Sequence, residues 1–332
     1  MKVAVAWVGL AAMAFACSKV RSAAERSDGS VATVLAAAPS RATAAGEPPG
    51  LPMATVKLID AGKAPRRKLR YAWRPGGREQ LVMDLLTTVS ARSDDATQPE
   101  IPLPAVHVVV GIEPGTVSTD GEMQYAWRIE STDVPTSDPK VPRRVADGMK
   151  TEVSMIERLS GSVTVTAQGI AKDIAIAPES VSDGGGTGQM VEQMRQTLRD
   201  LAAPFPQEEV GVGAKWQKLS ALAGKDSRVN QSETFTLEEL AGTRGALDDV
   251  LAQTAPPQLL RGPTAPLGAQ PRMESMLASG DAKIRFDLAH LVPQTTFDGM
   301  TTMIVSGQSP DDTGRRMTMV MRMGIILSGS AR

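Results

Sequence analysis

Met317-Thr-Met319-Val-Met321-Arg-Met323-Gly-Ile325 places Met or Ile at every odd position and Thr, Val, Arg and Gly at the even ones. Successive side chains of a strand point to opposite faces. The run therefore reads as one strand, over 315–328, with a continuous apolar face. The same two-residue period recurs upstream and predicts strands over 79–90, 105–113, 161–167, 170–177, 214–222, 228–237, 281–290 and 298–306. In 228–237, Val229, Phe235 and Leu237 share one face, with Asn230, Ser232, Thr234 and Thr236 on the other. In 281–290, Ile284, Phe286 and Leu288 oppose Lys283, Arg285 and Asp287. Such alternation marks a sheet with one buried and one wet face.

Leu69-Arg-Tyr71-Ala-Trp73 and Met123-Gln-Tyr125-Ala-Trp127 alternate as well and read as two further strands. Both belong to a Tyr-Ala-Trp-Arg tetrapeptide, at 71–74 and 125–128, which hints at two related hairpin units. Two segments change period. Val145, Met149, Val153 and Ile156 form a helical stripe over 143–159, and Met190, Met194, Leu198 and Leu201 form another over 188–202. A third helix fits 245–254, and five prolines make 255–272 a long loop. The helices do not alternate regularly with the strands, which excludes a doubly wound parallel sheet. The expected fold is α+β and mainly antiparallel: a curved sheet or half-barrel of about ten strands, with two amphipathic helices packed on one face.

The N-terminus carries a different signal. Val3 to Ala16 is an unbroken apolar run after Met1-Lys2. It is shorter than the about 20 residues a spanning helix needs and fits a secretory signal peptide over 1–16. It ends at Ala14-Phe15-Ala16-Cys17, and Cys17 is the chain's single cysteine. Ala14-x-Ala16 suits plain signal-peptidase cleavage. Ala16-Cys17 also resembles the lipobox of bacterial lipoproteins, with Ala14 and Phe15 departing from that pattern. This resemblance implies Cys17 as the site of lipid attachment, palmitate among the acyl chains, and an anchor in the membrane. Ser18 then implies an outer-membrane address facing the periplasm or the exterior. Residues 17–66, rich in Ala, Ser, Pro and Gly, read as the lipidated N-terminus and a flexible tether. Residues 67–330 read as a single β-rich domain.

Composition narrows the functional classes. The 332 residues hold 36 basic and 37 acidic side chains, a formal net charge of −1, and only 3 % aromatics. That balance disfavours a nucleic-acid partner. One cysteine and two histidines leave little for a metal centre. His107 lies in a strand and His290 ends one, in no ligand spacing. No Gly-x-Ser-x-Gly elbow occurs. Adjacent acids such as Asp248-Asp249 diverge on a strand and make no acid–base pair. Gly184-Gly-Gly-Thr-Gly188 lacks the Lys-Ser/Thr of a phosphate loop and reads as a loop. Ser309-Pro-Asp-Asp-Thr-Gly314 lacks the alternating ligands of a calcium loop. These readings predict no enzyme activity, no cofactor and no metal. The methionine face has three readings: ordinary core, an adaptable wall for an apolar ligand formed by Met317, Met319, Met321 and Met323, or a soft-metal site.

Pro204-Phe-Pro206-Gln-Glu-Glu-Val210-Gly-Val-Gly213-Ala-Lys-Trp216 resembles a segment of a family of exported bacterial envelope proteins, in which a helix leads to Pro, Val-Gly-x-Gly and Trp. Ser279-Gly280-Asp-Ala-Lys-Ile-Arg-Phe286-Asp287-Leu288 and the methionine-rich last strand fit the same likeness. It implies export and a β-rich body, and it brings no assigned activity. The helix and strand pattern is also similar, more loosely, to the half-barrels of periplasmic lipid and lipoprotein carriers. That likeness implies a cavity between sheet and helices, for lipid or lipoprotein acyl chains.

Overall fold

The computed structural model describes residues 54–73, 76–93, 97, 99–135, 139, 141–177, 194–224, 227–259, 272–309 and 312–331. The expected signal peptide, Cys17, most of the expected tether, Gly184–Gly188 and the first turns of the second expected helix lie outside them. In chain order the elements are β1 (Thr55–Asp60), β2 (Arg67–Lys68), β3 (Glu79–Ser93), β4 (Ile101–Pro102), β5 (Val106–Val117), β6 (Met123–Asp133) and α1 (Arg143–Ser154). β7 (Ser160–Val165) and β8 (Ala171–Ile176) follow, then α2 (194–199). The remainder is β9 (Glu209–Val210), β10 (Lys215–Gly224), β11 (Ser227–Ala241), β12 (Arg244–Ala255), β13 (Gln258–Leu259), β14 (Arg272–Asp287), β15 (Gln294–Ser309) and β16 (Asp312–Ala331).

Fourteen of these strands make one curved, unclosed antiparallel sheet, as the alternation predicts. Its order is β1-β10-β11-β12-β14-β15-β16-β3-β5-β6-β7-β8, with β13 beside β14 and β4 beside β3. Two meanders meet where the last long strand joins the first. The β16–β3 ladder runs in unbroken register from Met317↔Ser93 to Ala331↔Glu79. Right-handed twist accumulates over so many strands and curls the sheet.

A strap of two irregular segments, 61–73 and 200–214, crosses one end of the inner face. β2 and β9 pair within it. On one wing the strap hydrogen-bonds to the hairpin turns: Tyr71 N–H to Ala167 O at 2.8 Å, Phe205 N–H to Gln168 O at 2.8 Å and Trp73 Nε1–H to Gly121 O at 3.1 Å. On the other, Ala72 N–H reaches Leu288 O at 2.8 Å and Gly213 N–H reaches Leu237 O at 2.7 Å. Between them runs a chain of rings. Tyr71 stacks on Trp73 at 4.3 Å and meets Phe205 at 5.4 Å. Phe205 meets Phe286 at 5.0 Å and Trp216 at 6.1 Å, and Trp216 stacks on Phe235 at 5.9 Å. Trp216 is fully buried and gives its Nε1–H to Pro204 O at 2.8 Å. The Val-Gly-x-Gly segment is explained by this crossing. A Cβ on Gly211 would stand 1.8 Å from Lys63 O, and Gly213 has φ +84°.

Four expectations are corrected. Leu69–Trp73 is extended and alternates in burial, yet it joins no ladder and belongs to the strap; the likeness between 71–74 and 125–128 therefore does not mark two equivalent hairpins. Residues 245–254 form β12 rather than a helix. Leu247, Val250 and Leu251 fit helical spacing, but the ladders to β11 and β14 put Val250 on the outside. The expected tether contains β1, which hydrogen-bonds to β10 and half-buries Val56 and Leu58. The first helix stops at Ser154, and Ile156 is buried in the turns beyond it.

The Tyr71 hydroxyl accepts the Ala203 N–H at 3.0 Å and lies 3.2 Å from Ala203 O, tying the two strap segments together. Tyr71→Phe leaves both buried backbone groups unpaired. It is expected to cost about 1–3 kcal/mol, read as a lower urea midpoint at unchanged slope.

Candidate functional site

The registers align the inner face in rows that run across the sheet. Nearest the strap, Leu237, Leu247, Ile284, Thr295 and Leu327 face inward from β11, β12, β14, β15 and β16, followed by Trp216, Phe235, Asp249, Ala282, Phe297, Ile325 and Leu85 from β10, β11, β12, β14, β15, β16 and β3. The next row is Lys218, Glu233, Leu251, Gly280, Gly299, Met323 and Thr87, and the next is Ser220, Gln231, Gln253, Ala278, Thr301, Met321 and Val89. Beyond it come Ala255, Met276, Met303, Met319 and Ala91. The outermost row is Met273, Val305, Met317 and Ser93. The inner face is thus divided. Its β10–β12 side is polar, its β14–β16 side is methionine-rich, and the strap end is aromatic.

Of the four sequence-predicted wall residues, Met321 and Met323 belong to the main core. Met319 is also buried, and Met317 is half-buried. Ala255, Met273, Met303 and Val305 form a second apolar cluster, with Val229 and Met276 packed against it. This end of the sheet joins thioethers from β14, β15 and β16, which is more methionine than the single alternating strand revealed.

The polar side holds the residues that the sequence reading passed over. Lys218, Asp200 and Glu233 are each at most 4 % exposed. The Lys218 ammonium bonds to Asp200 at the end of α2 and to Glu233 Oε2 at 3.0 Å. Burial alone would push the ammonium's pKa down. The attraction of Asp200 and Glu233, together with their hydrogen bonds, outweighs that and holds it above the ordinary lysine value. Gln253 Nε2–H donates to Gln231 Oε1 at 2.6 Å. The signal for these residues was parity: Lys218 is two after Trp216, and Gln231 and Glu233 share the odd positions of Phe235 and Leu237. Asp200, Lys218, Glu233, Asp249 and Thr295 line a cavity of about 10 Å³, room for one water at most. The Oγ1 atoms of Thr295 and Thr87 are buried without a partner among the described residues.

The histidines are far apart in role. His107 lies on β5, with Nδ1 2.7 Å from Asp84 Oδ1 across the ladder. His290 sits in the turn after β14, with Nδ1 3.5 Å from Glu79 Oε1. Among the described residues no three His, Cys, Asp or Glu side chains are grouped to hold a metal ion.

No family model matches this chain, and no curated protein matches it. Among solved structures, Pseudomonas aeruginosa OccK8 (OprE) is 8 % identical over 78 % of this chain and 100 % of its own, with a TM-score of 0.17. A likeness at that level carries no argument.

Lys218→Met strands two buried carboxylates and is expected to destabilise by about 3–5 kcal/mol, whereas replacing all three charges with apolar residues of similar volume recovers most of that loss. Because the folded-state pKa of Lys218 is raised, its contribution is complete below the ordinary lysine value. It is lost as pH climbs through the raised one. Urea titrations across the alkaline range read both effects, and the Lys218→Met protein lacks that alkaline slope.

Proposed function

We propose that this chain is an exported bacterial lipoprotein, held at the cell envelope through acylated Cys17. Its folded body is a non-enzymatic binding module whose ligand is apolar, a lipid or a lipoprotein acyl chain. One observation carries the ligand reading: Met273 and Met276 of β14 and Met303 of β15 gather at the end of the inner face away from the strap, in a cluster separate from the main core, with Met319 of β16 beside Met303 in the ladder. Thioether side chains are unbranched and polarizable and repack around irregular hydrocarbon. The inner-face ions also favour binding over catalysis, because Lys218, Asp200 and Glu233 are spent on one another. The anchor reading is supported by the apolar run Val3–Ala16, the Ala16-Cys17 junction and the polar tether that follows. Ser18 favours the outer membrane, with the body facing the periplasm or the exterior. An acyl anchor is strong because each buried methylene contributes about 0.8 kcal/mol, and two or more chains hold stably where one is marginal.

The anchor is tested by feeding radioactive palmitate to producing cells. The native protein takes up label and Cys17→Ala does not. A native protein that stays unlabelled would remove the anchor from the reading. For the ligand, native mass spectrometry of gently extracted protein is expected to find bound lipid, and a fluorescent fatty acid is expected to bind. Burying a methionine side chain is worth about 1.5–3 kcal/mol. Met303→Ala with Met317→Ala should therefore weaken the probe tenfold or more. Lipid-free protein that leaves the probe dark would defeat the ligand reading.

A further inference from the structure

The outer face carries a second site, independent of the inner-face reading. At the strap end of the sheet an open pocket of about 630 Å³ lies over β11, β12, β14, β15 and β16. Its size falls in the range that takes small molecules. Four of its lining residues stand in one row, set by the ladders: Glu239 on β11 opposite Ala246 on β12, Ala246 opposite Arg285 on β14, and Arg285 opposite Gln294 on β15. An acid, a methyl, a cation and an amide therefore lie side by side, each one strand spacing of about 4.8 Å from the next.

The gap between the charges is the informative feature. Glu239 and Arg285 are exposed and form no ion pair or hydrogen bond with the described residues, and Ala246 leaves the space between them open. The other carboxylates of the pocket are committed. Glu79 accepts the N–H groups of Leu291 and Val292 at 3.0–3.1 Å. Asp287 accepts Arg244 Nε–H and the Ala289 N–H, each at 3.0 Å. Burial alone would lift the Asp287 carboxyl; those hydrogen bonds hold it below its ordinary value. Arg244 uses only Nε in that pair. It lies on the neighbouring strand, diagonal to Arg285 on the same face. Two guanidinium groups and the Gln294 amide offer more donors than a carboxylate's two oxygens need, and they suit the several oxygens of a phosphate.

We propose that this pocket binds a phosphate–amine zwitterion, its phosphate on Arg285, Arg244 and Gln294 and its ammonium on Glu239 across Ala246. The chemistry is that of phosphoethanolamine, whether free or as a lipid headgroup. Titration calorimetry on the full-length, detergent-purified protein compares O-phosphoethanolamine, inorganic phosphate and ethanolamine. O-phosphoethanolamine is expected to bind at least tenfold tighter than either half. Arg285→Gln abolishes binding of both phosphate compounds, and Glu239→Gln brings O-phosphoethanolamine down to the level of phosphate. Both substitutions are on exposed side chains, and unchanged thermal melting certifies the fold. Co-sedimentation of the Cys17→Ala protein with phosphatidylethanolamine vesicles, lost when Arg285→Gln is added, names the headgroup as the source. Binding of the free compound without such co-sedimentation names a soluble one. No heat from O-phosphoethanolamine, equal affinity for phosphate and O-phosphoethanolamine, or binding that survives Arg285→Gln overturns the proposal.

Discussion

Tyr71, Phe205, Trp216 and Phe286 meet over the inner face of the sheet, and the rest of the body is arranged around that meeting. A wide antiparallel sheet satisfies its own backbone, but it leaves an inner face to cover and two edges to protect. The strap answers the first need with large rings that bury much area at little rotamer cost. Its hydrogen bonds tie the Gly121 and Ala167 turns of one wing to Leu237 and Leu288 of the other. Curvature is thereby fixed from inside, without closure of the ladder. At the β1 edge the protection is chemical, with Lys57 facing outward on a short strand.

The inner face then divides by chemistry. Lys218, Asp200 and Glu233 fasten the end of α2 to β10 and β11. A buried ion pair adds little net stability over an apolar one, but it tolerates no substitute partner and so fixes which segment docks there. The methionine cluster is the opposite case: apolar, adaptable and indifferent to exact shape. Rigid specification at the strap end and compliance at the far end fit the proposed binding of an apolar ligand. The outer row from Glu239 to Gln294 owes its place to the same ladders, which bring together Glu239 and Arg285, charges 46 positions apart in the chain.

Alternation located most long strands within a few residues. Where it failed, the reasons are particular. β14 begins at Arg272, well before the expected 281, because Ala278 and Gly280 face inward while Leu277 faces out, so this part of the strand shows no apolar alternation. β12 was obscured because Leu247, Val250 and Leu251 satisfy helical spacing as well as they satisfy a strand. Leu69–Trp73 alternates in burial as any extended chain crossing a core does, and periodicity cannot distinguish that from a ladder. β1 was hidden by its surroundings, since a short edge strand in an Ala-, Ser- and Pro-rich stretch carries almost no apolar signal. In the candidate site the last-strand methionines were legible, but their company on β14 and β15 was not. The Lys218 triad was overlooked because charge ordinarily marks the wet face, and here the partners needed to neutralise it came from α2 and β11.

The order of residues alone settled that the body is mainly antiparallel, for a period of two is a local property of each strand and needs no partner to be read. It equally shows the apolar run from Val3 to Ala16, since hydrophobic length is read directly from the sequence. Which strand lies beside which was decided only in the folded chain. The joining of β16 to β3, the crossing of the strap and the placing of Glu239 near Arg285 depend on contacts between distant residues, whose loop-closure cost and packing gain no local pattern records.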